Sequence, residues 1–339
     1  MEIMDYVLAI HGGAGTILPG ADEAPYHAAL RSAIAAGEAV LAGGGSALDA
    51  VSRAVQELED CILFNAGRGS VYTADAVQEM DAIVMDGANR KAGAVAGVCS
   101  VKNPVLLARA VMEQTDCVLL MGQGAERFAR QQGFALMPPE YFASEARLAQ
   151  LQRAQAAGRG ALLDHDGAAQ AGKAVDAAGQ VATRAATQAA TRTATEPLDP
   201  DTKYGTVGAV ARDRFGNLAS AVSTGGMTNK RPGRVGDTPI VGAGCYADNA
   251  CVAVAATGSG EYFIRAVVAH DVAARMQYAG ASLMDAAQAA IHDTLSGIGG
   301  DGGLIAIGHD GALAMPFNTT GMYRASVREH QAIVTAIFA

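Results

Sequence analysis

A chain of 339 residues that is 50% apolar and 17% charged can bury a sizeable core, in one large domain or two ordinary ones, so disorder throughout is excluded. A net charge of −9 gives no attraction for nucleic acid or an anionic membrane surface and leaves a small zwitterionic substrate compatible. The five cysteines show no C-x-x-C spacing, which argues against a disulfide framework or a zinc site. No apolar stretch reaches the ~20 residues that span a bilayer, and the first residues are acidic where a signal peptide needs basic ones, so the expected location is cytoplasmic.

Tyr6 to Ile10 reads as a buried strand running into the glycine turn His11-Gly12-Gly13-Ala14-Gly15. Residues 26–42 and 46–60 carry helical periodicity, and Ser46 with Asp49 three positions on is a capping-box signature. The segment 64–101 is β-like and punctuated by glycine. Asn103-Pro104 predicts an N-cap and first residue for a helix to about Met112, and a strand–helix pair follows between Cys117 and Gln132. After about residue 156 the composition changes: no aromatic occurs from Ala156 to Thr202. Such an Ala/Thr-rich run buries too little surface to offset the cost of ordering it, so 156–203 reads as a flexible linker.

From Tyr204 the pattern of structure resumes. GTVGAVA, a polar turn from Arg212 to Asn217 and LASAVST form a β-hairpin pattern. CVAVAAT then leads into Gly258-Ser259-Gly260 and a long helix from about Glu261 to Tyr278. A further helix (282–295) and a second hairpin, GLIAIGHDGALAMPF, complete the predicted elements. Strands in both halves with helices at each end predict a layered α/β or α+β architecture around one core, and the hairpins argue against an all-parallel sheet.

The most informative point is the junction Lys203-Tyr204-Gly205-Thr206-Val207-Gly208, where the linker meets a buried strand. Thr206 could simply be a β-branched residue opening that strand. The arrangement also suits self-cleavage, in which the Thr206 hydroxyl attacks the Gly205 carbonyl. Glycine tolerates the unusual dihedrals of a strained scissile bond. Cleavage would leave an α-amino group, with an ordinary pKa near ~8, able to serve as general base to its own hydroxyl.

The motifs HGGAG, LFNAG at 63–67, MDAIVMDG at 80–87, KYGTVGAVA at 203–211, STGGMTNKRPGRVGDTP at 223–239, GAGCYADN at 242–249, TGSGE at 257–261 and GGLIAI at 302–307 resemble those of the plant-type L-asparaginase/isoaspartyl peptidase family. The likeness covers almost the whole chain apart from the linker and the last dozen or so residues. It implies an α+β fold, the four-layer αββα sandwich of N-terminal-nucleophile hydrolases. It further implies cleavage between Gly205 and Thr206, giving an α-subunit from 1–205 that includes the linker and a β-subunit from 206–339, with two cleaved protomers forming a homodimer.

By the same resemblance Thr206 is the nucleophile and Thr224 contacts it. Arg234 and Asp237 grip the substrate's α-carboxylate and α-amino group, as a planar guanidinium and a carboxylate can. Spaced three apart in a Pro/Gly loop, they also fit a surface ion pair of little energetic value. Thr257 and Gly258 correspond to the oxyanion hole, Gly260 to the substrate-binding turn and Asn65 to an asparagine near the substrate. The backbone carbonyls of Leu58, Glu59, Cys61, Phe64, Ala66 and Arg68 correspond to a structural sodium site, although Ile62 and Arg68 depart from the usual pattern. No cofactor is implied for catalysis. The substrates implied are L-asparagine and β-aspartyl dipeptides. Two alternatives stand beside this: a glycosylasparaginase-like amidase, whose nucleophile usually follows aspartate, and an uncleaved relative acting as a binding protein. His11 fits a structural role best, and Asp81 and Asp86, five apart in a strand, face opposite sides and make no acid/base dyad.

Overall fold

Alternation along the first strand determines what each of its side chains meets. Leu8 and Ile10 join a core shared with helices, whereas Val7 and Ala9 join a second core shared with another sheet. The computed structural model describes residues 4–17, 22–158 and 205–339; nearly all of the predicted linker therefore lies outside the described residues.

In chain order the first part contains β1 (Val7–Gly15), α1 (Ala24–Ala42), α2 (Ala47–Asp60), β2 (Met80–Asp86), β3 (Ala92–Val98), α3 (Pro104–Gln114), β4 (Leu119–Met121), α4 (Gly122–Gln131), α5 (Pro139–Phe142) and α6 (Glu145–Ala156). The second part contains β5 (Val207–Arg212), β6 (Leu218–Thr224), β7 (Cys245–Ala247), β8 (Val252–Gly258), α7 (Gly260–Ala266), α8 (Val268–Ala279) and α9 (Leu283–Ala289). A π-helical turn (Ala290–Leu295) follows, then β9 (Gly302–Gly308), β10 (Leu313–Ala314), β11 (Gly321–Arg328) and β12 (Val334–Ala336). This is a mixed α+β fold. One sheet has the order β12-β11-β1-β5-β6-β2-β3-β4 and the other β10-β9-β8-β7. Pairing is antiparallel except between β3 and β4.

On one face of the larger sheet, Leu30 and Ile34 of α1, Val51 and Leu58 of α2 and Leu107 and Val111 of α3 pack with Leu8, Ile10 and Val84. On its other face Val210 and Val222 pack with Val254 and Ile305 of the smaller sheet, and with Val272 of α8 and Ala286 of α9. Fully burying each branched side chain contributes about 1.5–3 kcal/mol. Small residues let these layers approach closely: a Cβ on Gly93 would lie 2.2 Å from the Ala108 carbonyl oxygen of α3.

Local chemistry explains the helix boundaries. Ser46 accepts from the Asp49 N–H at 3.1 Å and donates to its carboxylate at 2.7 Å, so α2 begins at the predicted capping box. Helix α3 starts at Pro104 as predicted, but Asn103 makes no cap: the Val105 N–H is already taken by Glu59 Oε1 at 2.9 Å, and Asn103 Nδ2 donates to Asp60 at 3.1 Å. The single helix expected from Glu261 to Tyr278 is two, broken at Val267 with φ 51°. The break holds because the first amides of α8 have partners elsewhere, His270 N–H on Gly242 at 2.8 Å and Ala269 N–H on Ala243 at 3.2 Å. The helix predicted for 282–295 is α9 followed by the π turn. The second hairpin does not complete the chain: β11 pairs along all of β1. Among the described residues no helix is long and apolar enough to cross a membrane.

Because α3 sits directly on Gly93, the substitution Gly93→Ala overpacks that contact by one methyl group. It should destabilise the fold by about 1–3 kcal/mol. Differential scanning fluorimetry should show a melting temperature several degrees below wild type.

Candidate active site

Register brings Thr206 and Thr224 together. Strand β5 lies between β1 and β6, with Val207 opposite Ser223, so one further step of the antiparallel ladder puts Thr206 opposite Thr224. The Thr206 hydroxyl donates to Thr224 Oγ1 at 3.0 Å in a buried setting. Thr224 Oγ1 also accepts the Gly226 N–H at 2.9 Å. Asn65 secures that turn: its Nδ2 donates to the Gly226 carbonyl at 2.7 Å and its own carbonyl accepts the Gly225 N–H at 3.0 Å. Its Oδ1 accepts from the Val71 N–H at 3.0 Å. The structure therefore places Asn65 as a brace behind the Thr224 turn.

The backbone before Thr206 runs hard against β1. Gly13 has φ 111°, next to a register shift, and a Cβ there would stand 2.4 Å from the Gly205 nitrogen. Only glycine permits that approach. His11 is fully buried beside the Thr206 backbone and Gly208, and among the described residues neither ring nitrogen has a well-formed hydrogen bond. Burial lowers its pKa to about 3, opposed only in part by the Thr206 backbone, so the ring is neutral.

Arg234, Asp237 and Gly260 converge. A Cβ on Gly260 would lie 2.8 Å from Asp237 Oδ1 and 2.9 Å from Arg234 Nη2. The guanidinium is held in a bidentate ion pair by Glu261, through Nε at 2.9 Å and Nη2 at 2.8 Å. Asp237 is buried and its Oδ2 has no partner among the described residues. Burial raises its carboxyl to about 7, against the attraction of Arg234.

Glu261 was not anticipated, although it stands in the TGSGE motif directly after Gly260. Nor was Lys230, fully buried in the motif from 223 to 239, whose Nζ donates to the Glu79 carbonyl at 2.7 Å. Burial lowers the Lys230 amine and raises the Asp81 carboxyl, each opposed by the other's charge. Asp81 is buried opposite Thr224, while Asp86 binds the Ala88 and Asn89 nitrogens near the surface.

Thr257 and Gly258 end β8, in the sheet that faces β5 and β6. The Thr257 hydroxyl is buried and has no partner among the described residues, a polar group available to a bound oxygen. The loop after α2 folds tightly upon its own carbonyls. A Cβ on Gly67 would meet the Glu59 oxygen at 2.5 Å, and one on Gly69 the Phe64 oxygen at 2.0 Å. Leu58, Cys61 and Ala66 carbonyls accept from Cys61, Phe64 and Gly69 amides at 3.3, 3.4 and 3.1 Å. Arg68 instead lies over the Tyr141 ring at 5.7 Å, and Ile62 is exposed. Oxygen donors of this kind suit a hard cation. Among the described residues no cluster of His, Cys, Asp and Glu is able to hold a metal ion.

Known proteins match this chain over almost its full length. It is 53% identical over 323 residues to an isoaspartyl peptidase of Salmonella typhimurium, covering 94% of each chain. It is 51% identical to an isoaspartyl peptidase of Escherichia coli, over 94% of this chain and 92% of the other. An isoaspartyl peptidase/L-asparaginase of Xenopus laevis is 39% identical over 97% of this chain and 94% of its own. The asparaginase family profile matches residues 4–337. With that match spanning both sheets and every residue of the Thr206 site, the chain belongs to the asparaginase family.

Proposed function

We propose that the chain cleaves itself before Thr206 and then hydrolyses β-aspartyl dipeptides and L-asparagine with that threonine as nucleophile. The observation that carries this is the 3.0 Å contact between Thr206 and Thr224 at the start of a central strand, taken together with the Arg234–Asp237–Gly260 convergence. The names of the relatives supply the substrates. In self-cleavage the Thr206 oxygen attacks the Gly205 carbonyl carbon, the C–N bond breaks as the acyl group moves to oxygen, and water hydrolyses the ester. Products are a Gly205 carboxylate and a free Thr206 α-amino group.

In turnover the α-amino group takes the Thr206 hydroxyl proton while the oxygen attacks the β-carbonyl of the substrate. Thr224 orients that hydroxyl. Thr257 and Gly258 stabilise the oxyanion. The proton passes to the leaving amine, and water releases aspartate. Arg234 takes the α-carboxylate and Asp237 the α-ammonium, so only the aspartyl part is anchored and the leaving group is free to vary.

The wider reading has the same standing. Helices on one face of the larger sheet, the smaller sheet on its other face and α8 and α9 beyond support a four-layer αββα arrangement of the N-terminal-nucleophile type. The crowded carbonyls between Leu58 and Arg68 support a structural sodium site, and the mature form is proposed as a dimer of cleaved protomers, each with subunits 1–205 and 206–339.

On a denaturing gel, purified protein should pass on incubation from one band near 34.4 kDa to two smaller ones, whereas Thr206→Ala stays whole and inactive. A wild-type chain that remains intact, or a Thr206→Ala variant that still hydrolyses asparagine, contradicts the proposal. Arg234→Leu should raise KM at least about tenfold, through loss of a charge-assisted bidentate contact.

The pH profile provides a further check. The α-amino group must be neutral and titrates near ~8 unless perturbed. Asp237, raised by burial to about 7, must be ionised to bind an ammonium. Log kcat/KM should therefore fall with a slope of about one below that first pKa and about two below pH 7. Asp237→Asn should remove the second increment, at a lower kcat/KM throughout; an unchanged slope in that variant would show that Asp237 does not titrate there.

A further inference from the structure

The turn that ends β8 is held by a residue to which the chemistry above assigns no part. Ser259 is the N-cap of α7, where a serine hydroxyl ordinarily accepts from a first-turn amide, yet it makes no capping bond. Its hydroxyl donates instead to Asp301 Oδ1. Its own N–H donates to the Asp301 carbonyl at 3.0 Å. One residue thus holds Ser259 by both side chain and backbone.

Beneath this pair the backbones touch. Gly258 lies opposite Gly302 in the β8–β9 ladder, with φ 151° and 149°, a region open to glycine alone. A Cβ on Gly258 would stand 2.3 Å from the Asp301 carbonyl oxygen, and one on Gly302 2.3 Å from that of Thr257. The backbone atoms are the nearest neighbours on each side, with the edge of the Phe263 ring packed against both glycines, so displacement of Asp301 passes to Gly258. Asp301 is itself anchored from behind: the Gly302 N–H donates to Asn318 Oδ1 at 2.8 Å, and Asn318 Nδ2 donates to the Gly300 carbonyl at 3.1 Å.

We propose that Asp301 is a positioning residue that, through Ser259, aims the Thr257–Gly258 turn at the developing oxyanion; this rests on the assignment of that turn as the oxyanion hole. Such donors are effective only when already directed at the place where charge develops. The carboxylate has a second consequence. A negative charge near the oxyanion opposes the reaction by Coulomb repulsion, so the turn needs the acceptor oxygen of Asp301 and not its charge. Asp301→Asn keeps that acceptor and removes the charge, whereas Asp301→Ala removes both.

The test is kcat and KM for a β-aspartyl dipeptide with self-cleaved wild type, Asp301→Ala, Asp301→Asn, Ser259→Ala, the double alanine variant and Thr257→Val. Loss of aim, short of loss of a donor, should lower kcat about tenfold in each single alanine variant with KM within about twofold. The double variant should be no worse than either single one, since both break the same bond. Asp301→Asn should equal or exceed wild type. A kcat within about twofold of wild type in both single alanine variants, a rise in KM alone, or losses that multiply in the double variant overturns the proposal. If Asp301→Ala fails to fold or self-cleave, Ser259→Ala and Asp301→Asn decide by the same criteria. Thr257→Val keeps the two levels apart: wild-type kcat there sinks the oxyanion assignment itself, and a loss there without a loss in Ser259→Ala sinks only the role of Asp301.

Discussion

Strand β5 is central to the larger sheet, hydrogen-bonded to β1 on one side and β6 on the other, and it starts directly after Thr206. Both partners are antiparallel, so the position of Thr206 is tied to two ladders at once. A slip of one residue would turn every side chain to the opposite face and separate Thr206 from Thr224. The core enforces the register, because Val207, Ala209 and Ala211 pack under the helices while Val210 packs against the second sheet. The stability of the sandwiched sheet and the placement of the proposed nucleophile thus depend on the same interactions.

Around that fixed point the polar groups are arranged unequally. Thr224, Asn65 and the 225–226 turn have their hydrogen-bonding capacity used within the protein. Thr257 and Asp237 retain buried polar atoms with no partner among the described residues. Buried polar atoms without partners are costly, so each one calls for a physical reason. The braced groups hold geometry, while Thr257 and Asp237 keep an atom available for a ligand under the proposed function. Charge follows the same division. Arg234 is set in place by Glu261, while burial keeps Asp237 on the edge of ionisation near neutral pH.

Glycine accounts for much of how the site is packed. Gly13 against Gly205 and Gly258 against Gly302 are backbone-to-backbone contacts that any side chain would prevent. They let the main chain of neighbouring segments approach where a side chain would be too bulky. A chain with 41 glycines and no tryptophan is suited to this kind of close layering.

The sequence by itself determined the local elements whose signals are local: the capping box at Ser46, the Pro104 helix start, the hairpin of β5 and β6, and the cluster of motifs around Thr206, Arg234 and Thr257. It did not reveal β11, although Tyr323 to Arg328 alternate apolar and polar residues, because its partner β1 lies some three hundred residues away. The break at Val267 was equally hidden, since it depends on carbonyls of residues 242 and 243 that capture the amides of α8. Glu261 and Lys230 look like ordinary surface charges until folding places one on Arg234 and buries the other beside Asp81. Asn65 could be assigned to the region of the site, but only the structure shows it bracing the Thr224 turn from behind. Local spacing records caps, periods and turns. Which distant backbone group satisfies a given donor, and which charge loses its water, is decided when the two sheets close on each other.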